Sequence, residues 1–157
     1  MKISHDFVSR SAEETVAFAK QIAKGLNPGD VIALQGNLGS GKTTFIKGIA
    51  LGLGIEDADQ VKSPTFVVMH MYKTLVPLYH FDLYRFEQPN ELEAIGFEDF
   101  IHDSRAISCI EWAEKAGREI PPDAYRIRID YLRENVRRIV VRKGHRKRTY
   151  RPVKKHG

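Results

Sequence analysis

Residues 36–43 read Gly-Asn-Leu-Gly-Ser-Gly-Lys-Thr and match the pattern G-x-x-x-x-G-K-[ST]. The pattern is short enough to arise by chance, so the segments beside it decide whether it has structural meaning. Before it, residues 31–34 form a continuous apolar run, typical of a strand buried on both faces of a parallel sheet. After it, apolar residues recur at helical spacing, at Ile46, Ile49, Ala50 and Leu53. The sequence therefore predicts a strand, a phosphate-binding loop and a helix in succession.

The loop has the residue types that a nucleotide phosphate requires. Backbone amides at the start of the helix, where the helix dipole favours anions, are expected to surround the phosphates. These amides belong to Leu38, Gly39, Ser40, Gly41, Lys42, Thr43 and Thr44. We expect Lys42 to reach the β- and γ-phosphates and the Thr43 hydroxyl to hold a magnesium ion that bridges them. The alternative is a glycine-rich turn without a ligand, which the flanking strand and helix disfavour.

Length, cysteine content and termini predict one domain in a reducing compartment. A chain of 157 residues corresponds to about one domain. Its single cysteine, Cys109, cannot form an internal disulfide, which fits the cytosol. The first six residues lack the apolar core of a signal peptide, and no run of 18 apolar residues occurs in the sequence. We therefore expect a cytoplasmic protein without a membrane segment.

The formal net charge of +5 is concentrated at one end of the chain. Residues 142–157 contain eight of the 25 Lys and Arg residues and no acidic residue. Residues 1–141 contain the remaining 17 basic residues and all 20 acidic residues, so this part of the chain carries a formal charge of −3. We predict a domain over residues 1–141 and a flexible basic tail over residues 142–157. Such a tail either neutralises nucleic-acid phosphates or acts as a disordered solubilising end.

Local patterns predict further helices and strands. Ser11 and Glu14 have the spacing of a capping box, which predicts a helix from about Ala12 to Leu26. A second box-like start at residues 90–93 opens a helical segment that Gly96 interrupts. Strands are predicted at residues 66–72, 78–82, 107–111, 125–131 and 139–141.

Two of the predicted strands end in an acidic residue, Asp82 and Glu111. In an open α/β sheet, ligands collect at the carboxyl ends of the strands, so these acids are expected to face Lys42 and Thr43. Nucleotide hydrolysis needs an acid that holds magnesium and a group that orients water. The alternative is that each acid caps a strand in solvent.

Four motifs occur in a characteristic order and spacing. They are residues 36–45, Ser63-Pro64-Thr65-Phe66, residues 80–85 (His-Phe-Asp-Leu-Tyr-Arg) and Glu111-Trp112. Together they resemble the bacterial ATPase family of tRNA threonylcarbamoyladenosine biosynthesis, from about residue 10 to about residue 141. The resemblance implies an α/β fold, with a single P-loop NTPase-like domain and a mainly parallel sheet flanked by helices. Added antiparallel strands are part of that implied fold.

The same resemblance implies an activity and partners. It implies magnesium-dependent ATP hydrolysis, weak alone and stimulated by partners, that is needed to modify the adenosine next to the anticodon in tRNAs reading codons that begin with A. The implied partners are a threonylcarbamoyl transferase and its catalytically inactive paralogue, through which the chain meets tRNA. A separate synthase makes the threonylcarbamoyl-adenylate donor. The implied cofactors are ATP and Mg²⁺.

The resemblance also implies roles for particular residues. The implied catalytic residues are Lys42, Asp82 and Glu111. The implied metal ligands are Thr43, Asp82 and Glu111, and Asp82 binds the metal directly or through water. The resemblance places Thr65 at a position that could sense the γ-phosphate, as a switch residue does. It places Trp112 beside the site. The family commonly has Asp at position 37, where this chain has Asn. The basic tail lies outside the shared pattern.

The sequence also fits other functions, and some side chains have more than one possible role. A small-molecule kinase fits the loop, but no arginine-bearing lid is readable in the sequence. A nucleotide-gated binding module fits as well. An N-K-x-D guanine-recognition sequence does not occur, so adenine is favoured over guanine. His80 is either a metal ligand with Asp82 or a hydrogen-bonded core residue. The rings of Tyr79, Phe81 and Tyr84 either stack on a base or pack in the core. Arg85 and Arg105 are either phosphate partners or surface charges.

Overall fold

A computed structural model describes residues 4–64 and 66–145 of the chain. In this part, seven strands form one sheet that is flanked by four α-helices and two short 3₁₀ helices. The strands are β1 (Ser4–Ser9), β2 (Val31–Gln35), β3 (Met69–Tyr72), β4 (Leu78–Asp82), β5 (Ile107–Glu111), β6 (Tyr125–Arg133) and β7 (Val136–Lys143). The α-helices are α1 (Ala12–Ala23), α2 (Lys42–Gly52), α3 (Pro89–Ala94) and α4 (Phe97–Ile101), and the 3₁₀ helices are Ala58–Gln60 and Ala113–Glu119.

The sheet is parallel in its centre and antiparallel at both edges. Its strand order is β1-β7-β6-β2-β5-β4-β3. β2 pairs in parallel with β5 and β6, and β5 pairs in parallel with β4. β3 is added antiparallel to β4, and β7 and β1 are added antiparallel beyond β6. The predicted α/β fold with a central parallel sheet and added antiparallel strands is confirmed.

Helices cover the sheet on both sides, and β2 lies buried between them. Ile32 and Leu34 belong to the apolar cluster that α1 and α2 complete, whereas Val31 and Ala33 belong to the cluster under α3 and α4. All four residues are at most 4% exposed. This burial on both faces explains why the strand before the loop is a continuous apolar run.

The helix boundaries follow local capping signals. The amide of Glu14 donates to Ser11 Oγ at 3.0 Å, and Glu14 Oε2 accepts from the Arg10 amide at 2.8 Å. α1 ends at Ala23, three residues before the predicted end. Gly96, at φ 71°, separates α3 from α4, as its position in the pattern predicts.

Three features of the sheet differ from the sequence predictions. The strand predicted at residues 66–72 begins only at Met69, because residues 66–67 form a turn and Val68 has φ 70°. β1 has no counterpart among the predictions. β7 extends through Lys143, so the predicted boundary between residues 141 and 142 falls inside a strand, while residues 146–157 lie outside the described part of the chain.

None of the described helices is both long and apolar enough to cross a membrane.

Close packing of α1 against α2 depends on Gly48. A Cβ atom at this position would lie 2.4 Å from the Val16 carbonyl oxygen and 2.5 Å from Ala19 Cβ. We predict that Gly48→Ala lowers the free energy of unfolding by about 1–3 kcal/mol, because the two helices must separate. Gly25→Ala is the control, since its nearest neighbour would be 3.7 Å away. Urea denaturation measures both, and equal stability of the two variants would contradict the prediction.

Candidate functional site

The phosphate-binding loop connects the end of β2 to the start of α2. Gly41 immediately precedes the helix and has φ 109°, a left-handed conformation that favours glycine. Gly36 is required for a different reason, because a Cβ there would lie 2.5 Å from the Ile129 carbonyl oxygen. No side chain caps the start of α2, so its first amides are available to an anion.

An arginine from β7 holds the loop in place. Arg137 Nε donates to the carbonyl oxygen of Ser40 at 2.9 Å, and Arg137 Nη2 donates to that of Gly39 at 3.3 Å. Sequence analysis did not identify this residue, which lies more than 90 positions from the loop. Nothing in the local pattern of β7 distinguishes Arg137 from the arginine that follows it, so no sequence signal was available.

Lys42 lies inside the loop and is only 4% exposed. Its Nζ donates to the carbonyl oxygens of Gly36 at 2.5 Å and Asn37 at 3.1 Å, and it lies 4.3 Å from the centre of the Trp112 ring. Burial lowers the pKa of Lys42, while nearby carboxylates, foremost Glu111, act in the opposite direction. Because Asn37 contacts Lys42 through its backbone carbonyl, this contact does not depend on the side chain at position 37.

Asp82 and Glu111 lie side by side at the carboxyl ends of β4 and β5, where the register pairs them directly. They are 6% and 3% exposed, so neither is a solvent-exposed strand cap. Glu111 Oε1 accepts a hydrogen bond from Thr43 Oγ1 at 2.9 Å. Asp82 accepts from Ser63 Oγ and, at 2.9 Å, from the Tyr84 amide. The structure thus brings both acids to the loop, as the sequence predicts.

The second oxygen of Glu111 is held by a buried histidine. His80, with no exposed surface, lies 2.6 Å from Glu111 Oε2 through its Nε2. Its Nδ1 lies 3.3 Å from the hydroxyl of Tyr72, which in turn lies 3.2 Å from His70 Nδ1. His80 is therefore a hydrogen-bonded core residue, as one of the two interpretations proposes, and it contacts Glu111 and not Asp82.

These groups line one cavity of about 400 Å³. All seven residues whose amides are predicted to bind phosphate, and both predicted acids, contribute to it. The lining residues are Leu38, Gly39, Ser40, Gly41, Lys42, Thr43, Thr44, Ser63, Asp82, Tyr84, Glu111 and Trp112. The aromatic rings of Tyr84 and Trp112 line one side of the cavity, with 5.1 Å between the ring centres. Thr65 lies outside the described residues, so its predicted switch role stays a prediction.

The remaining candidates lie away from the cavity or in the core. Tyr79 and Phe81 belong to the apolar cluster under α3 and α4, so of the three aromatic candidates only Tyr84 lines the cavity. Arg105 pairs with Asp103 at the surface, 3.2 Å apart, and Arg85 lies over the Phe66 ring at 4.2 Å.

The cavity has the donors and acceptors of a magnesium–nucleotide site. Ser40 Oγ is buried and has no hydrogen-bond partner among the described residues, and it lies in the loop that would contact phosphate. No group of three or more His, Cys, Asp or Glu side chains suited to a metal occurs in the described ranges. Magnesium does not need such a group, since it is usually bound by one or two carboxylates, substrate phosphates and water. Glu111 would supply such a carboxylate, with the Thr43 hydroxyl beside it as a further oxygen ligand.

Comparison with known proteins gives one consistent family. Residues 9–140 match the family described as threonylcarbamoyl adenosine biosynthesis protein TsaE. The TsaE protein of Treponema pallidum is 37% identical over 134 residues, covering 85% of this chain and 97% of that protein. The Bacillus subtilis TsaE protein is 41% identical over 128 residues, covering 81% and 78%. The crystal structure of Bacillus subtilis YdiB superposes with a TM-score of 0.75 at 32% identity, covering 92% of this chain and 88% of that one. With the loop, its acids and this match over most of its length, the chain belongs to the TsaE family.

Proposed function

We propose that this chain binds ATP with Mg²⁺ and hydrolyses it in support of tRNA threonylcarbamoyladenosine biosynthesis. The observation that carries the proposal is the 2.9 Å bond between Thr43 Oγ1 and Glu111 Oε1, which joins the loop helix to the end of β5. A hydroxyl and a carboxylate so placed form a magnesium-binding pair beside the phosphate-binding loop. The relatives described as tRNA threonylcarbamoyladenosine biosynthesis proteins support the biological role.

In this proposal each buried group has a distinct task. The amides at the start of α2 bind the phosphates, and Lys42 neutralises negative charge on the β- and γ-phosphates. Thr43 and Glu111 would hold the magnesium ion, which when bound would stabilise the charge that develops on the phosphate oxygens. Asp82, fixed by Ser63 Oγ and the Tyr84 amide, binds the same ion directly or through water.

The proposed setting is a cytoplasmic complex in which hydrolysis serves other proteins. The partners are a threonylcarbamoyl transferase and its catalytically inactive paralogue, and turnover by this chain alone is weak. We infer that tRNA is met through this complex. Adenine is the preferred base, because the sequence contains no N-K-x-D motif for guanine.

Loss of either key charge is predicted to abolish turnover. Lys42→Ala and Glu111→Ala each reduce ATP hydrolysis by about a hundredfold or more, measured with the transferase pair present. Lys42→Ala removes a positive charge that neutralises the transition state, and Glu111→Ala removes a carboxylate that would hold the magnesium ion. Arg105→Ala, at an 86% exposed side chain, is the control and keeps full activity. Robust turnover without partners, or normal tRNA modification by Lys42→Ala, contradicts the proposal.

His80 is predicted to position Glu111 for magnesium binding. Removing a hydrogen-bond partner of a metal ligand typically weakens metal binding 10- to 100-fold. We expect His80→Phe to raise the Mg²⁺ concentration for half-maximal hydrolysis about tenfold, and His80→Gln, which retains a donor, to restore part of it. Nucleotide affinity without Mg²⁺, followed by fluorescence of Trp112, the chain's one tryptophan, stays unchanged.

The two His80 variants also separate positioning from a general loss of stability. Both replace a fully buried side chain, so urea denaturation is measured for each alongside the Mg²⁺ titration. A Mg²⁺ requirement equal to that of the unmodified protein in His80→Phe, or an equal defect in both variants, would show that the hydrogen bond to Glu111 does not position it.

A further inference from the structure

A second cavity, larger than the nucleotide cavity, lies on the face of β6 and β7 that points away from α1 and α2. Its volume is about 620 Å³. Four exposed arginines line it, two from each strand: Arg126 and Arg128 from β6, and Arg138 and Arg142 from β7. We call these four residues the arginine face. The alternate residues of the same strands, such as Ile129 and Val141, belong to the apolar cluster on the other side.

Two members of the arginine face form salt bridges with acids, and two do not, although the charge of Arg142, after the hydrogen bond from Arg138, contributes to lowering the pKa of Asp6. Arg128 Nε lies 3.1 Å from both carboxylate oxygens of Asp130, and Arg138 makes two hydrogen bonds to Asp6, of 2.9 and 2.6 Å. Neither Arg126 nor Arg142 forms a salt bridge with an acid in residues 4–64 and 66–145.

The two arginines without a salt bridge, Arg126 and Arg142, stand directly opposite each other. The antiparallel register pairs Arg126 with Arg142, which places both side chains on the same side of the sheet. Like charges in directly opposed positions destabilise a strand pair. An anion bound between the two guanidinium groups removes that repulsion, and the planar guanidinium fork matches the oxygens of a phosphate.

We propose that the arginine face binds the phosphate backbone of RNA. The choice of RNA over an acidic protein surface rests on the charge that follows β7 in the sequence. Residues 146–157 add six Lys or Arg residues and no acidic residue, so the cationic stretch that starts at Arg142 continues for 16 residues. Such an extended positive stretch suits a polyanion. The inference rests on the proposed function for the RNA involved, a tRNA.

The arginine face is separate from the nucleotide cavity, although the two are close. None of the residues that line the 620 Å³ cavity at the arginine face also lines the nucleotide cavity. Gln35, the last residue of β2, lines the cavity at the arginine face and directly precedes Gly36 of the loop. RNA on this face therefore lies beside the outer side of the loop and leaves the ATP site open, so both ligands bind at once.

The test compares two double charge reversals in the full chain. Arg126→Glu with Arg142→Glu removes the opposed pair. Lys20→Glu with Lys73→Glu makes the same change of charge at two exposed positions, on α1 and between β3 and β4. The probe is an unmodified tRNA transcript, and its binding is titrated between 50 and 200 mM salt. Trp112 fluorescence reports ATP binding in each protein.

We expect the Arg126/Arg142 variant to bind the transcript more weakly and to lower the slope of log affinity against log salt by about 2, one unit for each lost phosphate contact. The Lys20/Lys73 variant keeps the slope, and ATP binding is unchanged in both. Equal slopes in the two variants, or no binding by the unmodified protein at 50 mM salt, overturn the inference.

One further outcome identifies a different occupant. If the Arg126/Arg142 variant loses association with the transferase pair while its binding to the transcript is unchanged, the face contacts protein and the RNA inference is wrong. The proposed ATPase function is tested separately by Lys42→Ala. Failure at the arginine face is thus distinguishable from failure at the nucleotide site.

Discussion

The parallel pairing of β2, β5 and β4 is the constraint on which the site depends. This pairing sets Leu34 beside Glu111 and Glu111 beside Asp82, so that all three strands end at one edge of the sheet. The loop leaves β2 at that edge and turns into α2, which brings Thr43 within 2.9 Å of Glu111. A parallel sheet is therefore the means by which distant segments supply one set of ligands.

Burial gives the polar groups of this edge their defined positions. A buried carboxylate is stable only where its oxygens are hydrogen-bonded, and Glu111 meets this condition with Thr43 on one oxygen and His80 on the other. The same holds for Lys42, whose ammonium group is bound by two loop carbonyls. The interactions that stabilise these charges thereby also orient them toward the cavity.

The two faces of the sheet have different roles. Apolar residues of β6 and β7, such as Ile139, pack beneath α1 and α2 and complete the larger apolar cluster. On the opposite side the same strands present arginines to solvent, of which Arg138 is held by Asp6 of β1. Arg137 of β7 also reaches the phosphate-binding loop. The antiparallel extension thus closes the core, supports the loop and offers a charged surface.

Sequence alone determined the features that depend on neighbouring residues. The loop pattern, the capping of α1 at Ser11, the break at Gly96 and the strands ending in Asp82 and Glu111 are all local. The apolar run of β2 indicated a strand buried in a parallel sheet, and the resemblance carried by the four motifs implied the added antiparallel strands. Only the tertiary structure decided that Arg137 binds the loop, that His80 holds Glu111, and that the arginines of β6 and β7 share one face. These contacts join residues far apart in the chain, and strand order and register, which local patterns do not encode, determine which of them meet.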